Sequence, residues 1–556
     1  MSISRRELLR GTGVAAAIAA FPTISRAALG EPTETAAPRL ERRKLAALGP
    51  VPRPPIAVVA LNRLTYGMAP GDVEAFEALG ATGTSRMRAW VDRQLAYSDI
   101  DDSACDARVA ALRLTTLGKP LERLWQEHFL DGHGNQTLRM RPASDVRTLI
   151  WTRAVYSQRQ LFEVIVGFWR NHFSVNAWTS PLFSILPAFE FGVLRPHAFG
   201  NFRAFLEAVA TSTTMIFSLN NDTNQAGGPN ENWARELFEL YGMGAENYLG
   251  VRDPNGVPKD DDGNPLGYVD NDVYEATRCF TGWRVSNSKA DPTIGNTGEF
   301  YYSRPWHDRF NKLVLGRYLQ ADQADMKDGR DALDLIARHP ATARFIARKL
   351  CRYLVTDDPP ETLVDAAART FRHAQNDDDQ LLQVVRTIVL KAEFQRAWGG
   401  KLKDPFRATT AMLRALKAEW KYTDTFGRSF DAMGMPLLGR PTPDGYPDRK
   451  ESWLGSTSML YRWRICNALI ERKIPSTTID LNAQMPPGLN TANAIVDFWI
   501  KRLLGRDLHP RENREAVVTV LAQGANPDLP MTAEQIGERL PGTVAVILMS
   551  PDFQLS

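Results

Sequence analysis

The chain has 556 residues, 44% of them hydrophobic and 24% charged, with a formal net charge of +3. That is ordinary globular composition, long enough for about two to four domains and for a core that needs no staples. A charge this small, without any long Lys/Arg run, gives no support for a nucleic-acid groove, and after the N-terminal region no apolar run reaches the ~18 residues of a transmembrane span.

The N-terminus reads as an export signal. Arg5 and Arg6 form a twin-arginine pair in Ser-Arg-Arg-x-Leu-Leu, a weakly apolar stretch follows from Gly11 to Ile24, and Ser25 and Ala27 offer small residues for cleavage. We expect a Tat-type signal over 1–27, delivery to the periplasm or beyond, and a Pro-rich arm over 28–55. Transport by this route implies folding before crossing.

From residue 56 the pattern is helical. "GDVEAFEALG", "TSRMRAWVDRQLAY" and "DARVAALRLTTLG" open the series, and the longest run, Ser144 to Phe173, carries Leu149, Ala154, Leu161, Val164, Ile165 and Phe168 on one side. Further helical windows fall at 200–218, 231–243, 270–283, 328–354, 360–375, 379–397, 405–420, 487–504, 510–523 and 541–549. "KLVLGRYL", at 312–319, is the best strand. The expected class is therefore mainly α, a large helical array or bundle with long irregular loops and at most a minor β element. A division between 56–338 and 339–556 is expected, unless the two parts form one unit. The long loops lie at 244–270 and 421–452. Asp260, Asp262 and Asn264 start like a calcium loop but lack its later glycine and glutamate, which favours a solvated hairpin. The four cysteines show no CxxC spacing and read as buried apolar residues.

Polar residues concentrate in a few windows. In "GGPNENWARELFELYGMG" (227–244), helical spacing puts Trp233, Leu237, Phe238 and Tyr241 on a broad apolar face and Asn232, Arg235, Glu236 and Glu239 on a polar stripe, with Glu231 at its margin. Ion pairs at i,i+4 support such a helix, and spacing alone asks nothing more of it. Glu275 and Arg278 share a face in the next window. His172 ends a largely apolar helix in "FWRNHF", the position of a satisfied structural histidine. His307 and Asp308 precede the strand on a loop, with Lys312 behind them, where a His-Asp pair can bind a metal, move a proton or simply make a turn. HExxH, GxSxG, GxGxxG and the P-loop are absent.

"LTYG" (64–67), "FWRNHF" (168–173), "PNENWARELFEL" (229–240), "DVYEATRCFTGW" (272–283), "HDRFNK" (307–312), "GRPTPDGYP" (439–447) and "WLGSTSMLYR" (453–462) occur in that order. As an ordered set they resemble the DUF1800 family of exported bacterial proteins, from about residue 60 to the C-terminus. The resemblance implies a mainly helical fold and a partner of the DUF1501 type. It places weight on His172, Asn230, Glu231, Arg235, Glu236, Glu275, Arg278, His307, Asp308, Lys312 and Glu163. The loop near 250–266 is longer than the family pattern, and Asp444 stands where an apolar or basic residue is expected.

On this basis the catalytic candidates are Glu231, Arg235, Glu236, Glu275, His307 and Lys312, gathered in one cleft. A divalent metal is compatible with His172, His307 and Asp308 as ligands; the cofactor is otherwise open. The expected function is an exported enzyme acting, by hydrolysis or oxidation, on a cell-envelope or extracellular substrate. The alternative is a non-catalytic scaffold. Carbohydrate binding through Trp151, Trp169, Trp233 and Trp283 requires these rings to be exposed.

Overall fold

Helix α1 (Ile56–Leu64) is buried along almost its whole length, from Ala57 to Leu64. An apolar helix of this kind has to be wrapped by others, and the remainder of the chain does so. The structure, a computed structural model, describes residues 53–287 and 292–556. The expected export signal and all but the end of the arm lie outside the described residues.

The long run expected from Ser144 to Phe173 is two helices, α2 (Gln136–Tyr156) and α3 (Gln160–His172). Asn135 caps the first, its side chain accepting from the Leu138 amide. The break at 157–159 is set from afar. Buried Asp102 accepts from Ser157 Oγ (2.8 Å), the Gln158 amide (2.7 Å) and Arg153 Nη1 (3.2 Å). These bonds reward leaving the helix, and periodicity cannot register them.

Helices α4 (Leu182–Phe189) and α5 (Phe202–Ala210) follow, with α4 on α2. Helix α6 (Asn232–Glu236) widens into a π turn over Leu237–Tyr241. Helix α7 (Asp270–Cys279) packs beside α6. Two antiparallel pairs come next, β1 (Trp283–Val285) with β2 (Phe300–Tyr302), and β3 (Lys312–Val314) with β4 (Arg317–Leu319). The "KLVLGRYL" segment is thus a hairpin. Its turn has positive φ at both Leu315 and Gly316, the geometry that matches strand twist, and the Leu315 amide donates to Asp272 at 2.7 Å.

Helices α8 (Lys327–Arg338), α9 (Pro340–Leu354), α10 (Glu361–His373) and α11 (Gln380–Leu390) stack in sequence. Helix α12 (Pro405–Ala415) lies between α2 and α13 (Ser456–Ile470). A last pair, β5 (Glu419–Trp420) with β6 (Thr477–Thr478), and helices α14 (Ala492–Leu504), α15 (Arg511–Ala522) and α16 (Ala533–Met549) complete the array. The fold is mainly α, with only short strand pairs among the described residues. Residues 53–556 belong to one compact unit.

All four cysteines are free and buried. Trp151, Trp169, Trp233 and Trp283 are core rings, so they offer no carbohydrate platform. The Asp260 carboxylate accepts from the Asp262 and Asn264 amides of its own loop, as a solvated hairpin requires. Among the described residues no helix is long and apolar enough to cross a membrane.

Asp102→Ala leaves one amide, one hydroxyl and one guanidinium short of an acceptor in the interior. Urea denaturation should show a loss of about 3 kcal/mol or more.

Candidate functional site

The polar windows assemble into two separate centres, not one cleft. The first joins α7 to the β3–β4 hairpin and α8. Arg278 grips Asp308 with Nε (2.8 Å) and Nη2 (3.0 Å) and turns Nη1 to both Glu275 oxygens. Glu275 also accepts from the Leu313 amide at 3.1 Å. Lys312 spends its three protons on the Asp308 carbonyl (2.6 Å), the Phe310 carbonyl (2.9 Å) and Asp328 (2.8 Å). His307 stands between the Thr281 carbonyl (2.8 Å) and Asp328 (3.0 Å).

Burial opposes the charges of Asp308 and Asp328. The Arg278 guanidinium nevertheless holds Asp308, and the His307 and Lys312 contacts hold Asp328, below the ordinary carboxylate range. Both ring nitrogens of His307 are thus engaged by neighbouring oxygens. Every charged group in this centre has a partner, and these contacts tie the hairpin to α7 and α8.

Glu231 and Arg235 lie apart from it. Arg235 bonds Glu231 (2.7 Å) and Asp270 (3.1 Å), with Glu239 at 3.4 Å, on a half-exposed face. Glu236 is half-buried near Tyr241, whose hydroxyl is pushed up by burial and then by the Glu236 charge. His172 is elsewhere again. Its Nε2 meets the Tyr241 carbonyl at 3.2 Å, and its ring packs among Phe168, Trp169, Phe173 and Tyr241. Burial, with the nearby Lys349 charge, drives its pKa well below the usual value, so it is a neutral cap on the π turn. The structure therefore does not unite His172, His307 and Asp308 as ligands. Among the described residues no group of three or more His, Cys, Asp or Glu side chains is placed to hold a metal ion.

A deep pocket lies where three other motif segments meet. It encloses about 890 Å³ of space, its mouth included, beside α3 and α12 and under the 435–448 loop. Asn171 clamps that loop in both directions. Its Nδ2 donates to the Tyr446 carbonyl (2.9 Å) and its Oδ1 accepts from the Tyr446 amide (2.7 Å). Gly445 makes this approach feasible: its φ is +76°, and an added Cβ would run into the Asn171 carbonyl. On the opposite wall the Tyr66 hydroxyl donates to the Glu163 carbonyl at 3.1 Å. It crosses Gly167 so closely that a Cβ there would sit 2.5 Å from it.

Most charges of the pocket wall are already paired. Arg170 is bidentate to Glu190 (3.0 and 2.7 Å), and behind it Arg195 is bidentate to Glu163 (3.0 and 2.6 Å). Asp444 is taken up within its loop by Arg440 and Thr442. Two carboxyls differ. Asp404 caps α12 by accepting from the Arg407 amide at 2.8 Å, and its other oxygen is 3.8 Å from Arg407 Nε. Asp448 lies deep below its neighbours but keeps accessible surface, because it faces the pocket. Among the described residues no hydrogen bond ends on its carboxyl oxygens; its main-chain carbonyl accepts from Lys401 at 3.1 Å. Burial raises the Asp448 pKa, while the charges of Lys401, Lys349 and Arg407 pull the other way.

The profile of a family described as "Protein of unknown function (DUF1800)" matches residues 59–555. The chain belongs to the DUF1800 family. No curated protein and no solved structure matches it. The motifs that build the pocket are "LTYG", "FWRNHF" and "GRPTPDGYP". Sequence reasoning quoted all three but took from them only His172. It missed Asp404, which reads as a helix cap before Pro405, and Asp448, which directly follows the last motif.

The two centres should respond differently to substitution. Lys312→Met takes the lysine donor from Asp328 and leaves two carbonyls without a donor, and chemical denaturation should show a loss of about 3–5 kcal/mol. Glu231→Gln, on the half-exposed face, should cost less than about 1 kcal/mol.

Proposed function

We propose that the chain is an exported enzyme that cleaves bonds in a polar cell-envelope or extracellular substrate by acid–base chemistry in the pocket beneath the 435–448 loop. Asp448 is the proton donor. Asp404 is the base that takes a proton from an attacking water, and Arg407 holds an anionic part of the substrate. The observation that carries this reading is the unlike pair of carboxyls. Asp448 is partly buried and accepts from no donor among the described residues, a setting that favours the protonated form. Asp404 sits on a helix N-terminus, which favours negative charge. Two carboxyls with divergent environments are what acid–base hydrolysis needs. In the step, water loses a proton to Asp404 and its oxygen attacks, while the departing group takes the Asp448 proton. Export by the twin-arginine route is supported by Arg5 and Arg6 and would bring the enzyme to such substrates.

A second reading is a scaffold that docks another exported protein, of the DUF1501 type. It is favoured by apolar side chains left exposed on the long loop and the hairpin region, Val251 at 86%, Phe310 at 73%, Tyr318 at 61% and Leu266 at 55%.

The test is product profiling. Cell-envelope fractions incubated with the purified protein should release products that Asp448→Asn does not release. Identical profiles from the two proteins would overturn the enzymatic reading. The variant should also fold at least as well as the parent at neutral pH. A carboxyl with a raised folded-state pKa adds stability below its unfolded pKa and loses it as pH rises through the folded one. At pH 7 the asparagine removes a penalty, so its melting temperature should equal or exceed the parent's. Below about pH 4, where both states of the parent are protonated, that advantage should disappear.

A further inference from the structure

A smaller compartment lies against the inner wall of the pocket. The two share Tyr353, Asp404, Arg407 and Asp448. Arg63, Lys401, Lys403 and Ser556 line the rest. Arg407 lies over the Tyr353 ring, 4.5 Å from its centroid, at the join between the two spaces.

Cations crowd this space. Arg63, Lys401, Lys403 and Arg407 line it, with Asp404, Asp448 and the Ser556 main-chain oxygen beside them. Asp357 reaches Lys401 from outside at 2.7 Å. Arg462 and Arg506 stand close enough to add to the positive field at Lys403.

The cations also hold unspent donors. Lys403 gives protons to the main-chain oxygens of Phe553 and Leu555 and to no carboxylate. Arg63, which is 2% exposed, donates Nη2 to the Ser556 main-chain oxygen at 2.9 Å, while its Nε and Nη1 have no hydrogen-bond partner. Arg407 Nη2 is likewise buried and unpartnered. Burial, and then the charge of Arg407, bring Lys403 down to about 7 and Arg63 down to about 9. Buried guanidinium N–H groups without an acceptor are costly unless an acceptor enters, and an anionic one matches their charge.

We infer that this inner compartment is an anion subsite that takes a carboxylate end of the substrate, with Arg63 and Arg407 as donors, while the substrate's reacting part lies in the outer pocket. The inference rests on the pocket being the substrate site. It adds that the substrate carries a carboxylate at one terminus and enters that end first.

The test is saturation-transfer NMR on the full chain, with acetate as probe and acetamide as its uncharged isostere. Acetate should give a saturable signal and acetamide none. Arg63→Gln and Arg407→Gln should each weaken acetate binding by about ten- to a hundredfold, and the surface change Arg372→Gln should leave it unaltered. If Arg63→Gln does not fold, Arg407→Gln decides. Equal behaviour of acetate and acetamide, or parental acetate binding by the arginine variants, would overturn the subsite. Asp448→Asn separates the two ideas, since it should retain or tighten acetate binding while product release is lost. Acetate binding with product release undisturbed contradicts the enzymatic reading alone. Loss of product release in a protein that never bound acetate contradicts the subsite alone.

Discussion

The two hydrogen bonds between Asn171 and the main chain of Tyr446 join parts of the chain that are 275 residues apart. They hold the 435–448 loop over the end of α3 instead of letting it run free in solvent. The loop forms one wall of the pocket and ends on Asp448. Without the clamp Asp448 would be an ordinary surface carboxylate. Trp453 adds a second fastening, its indole N–H donating to the Pro447 carbonyl at 2.9 Å. A side-chain amide that satisfies both the N–H and the C=O of one residue specifies position as well as energy, because each bond fixes the direction of the other.

The molecule carries two concentrations of charge that look alike as residue lists and differ in physical state. Around Arg278 and Lys312 donors and acceptors match one to one, and the charges hold each other. Such a network fastens structure and has no capacity left for a ligand. Around Asp448 and Arg407 the matching fails in both directions, with a carboxyl lacking donors and guanidinium groups lacking acceptors. Unmatched buried groups cost stability, and a fold keeps them where they do something else.

This difference explains which parts were legible in the sequence. The helices were, because apolar residues at helical spacing report burial locally. The division of 144–173 was not, because Asp102 imposes it from more than fifty residues away. The π turn after Glu236 was not, because the helical face of Trp233, Leu237 and Tyr241 reads the same with or without it. Three of the motif strings line the pocket. Selection by residue type then favoured His307, Glu275 and Lys312, since histidine and paired charges look catalytic when their partners are unseen. Asp404 and Asp448 each sit beside a proline or a loop motif and look like caps or turn residues. Asp404 is indeed a cap. Their exposure to a shared pocket depends on α12 and the 435–448 loop meeting in space, and no local pattern encodes that.

The central claim is that Asp448 sits in that pocket as a carboxyl disposed to keep its proton. Selective ¹³C labelling of aspartate carboxyls, assigned against the Asp448→Asn spectrum, reads this directly in the folded chain. The account predicts a titration midpoint for Asp448 above the ordinary aspartate value of about 3.9. A midpoint at or below that value would mean that the Lys401, Lys349 and Arg407 charges outweigh burial, and would contradict it.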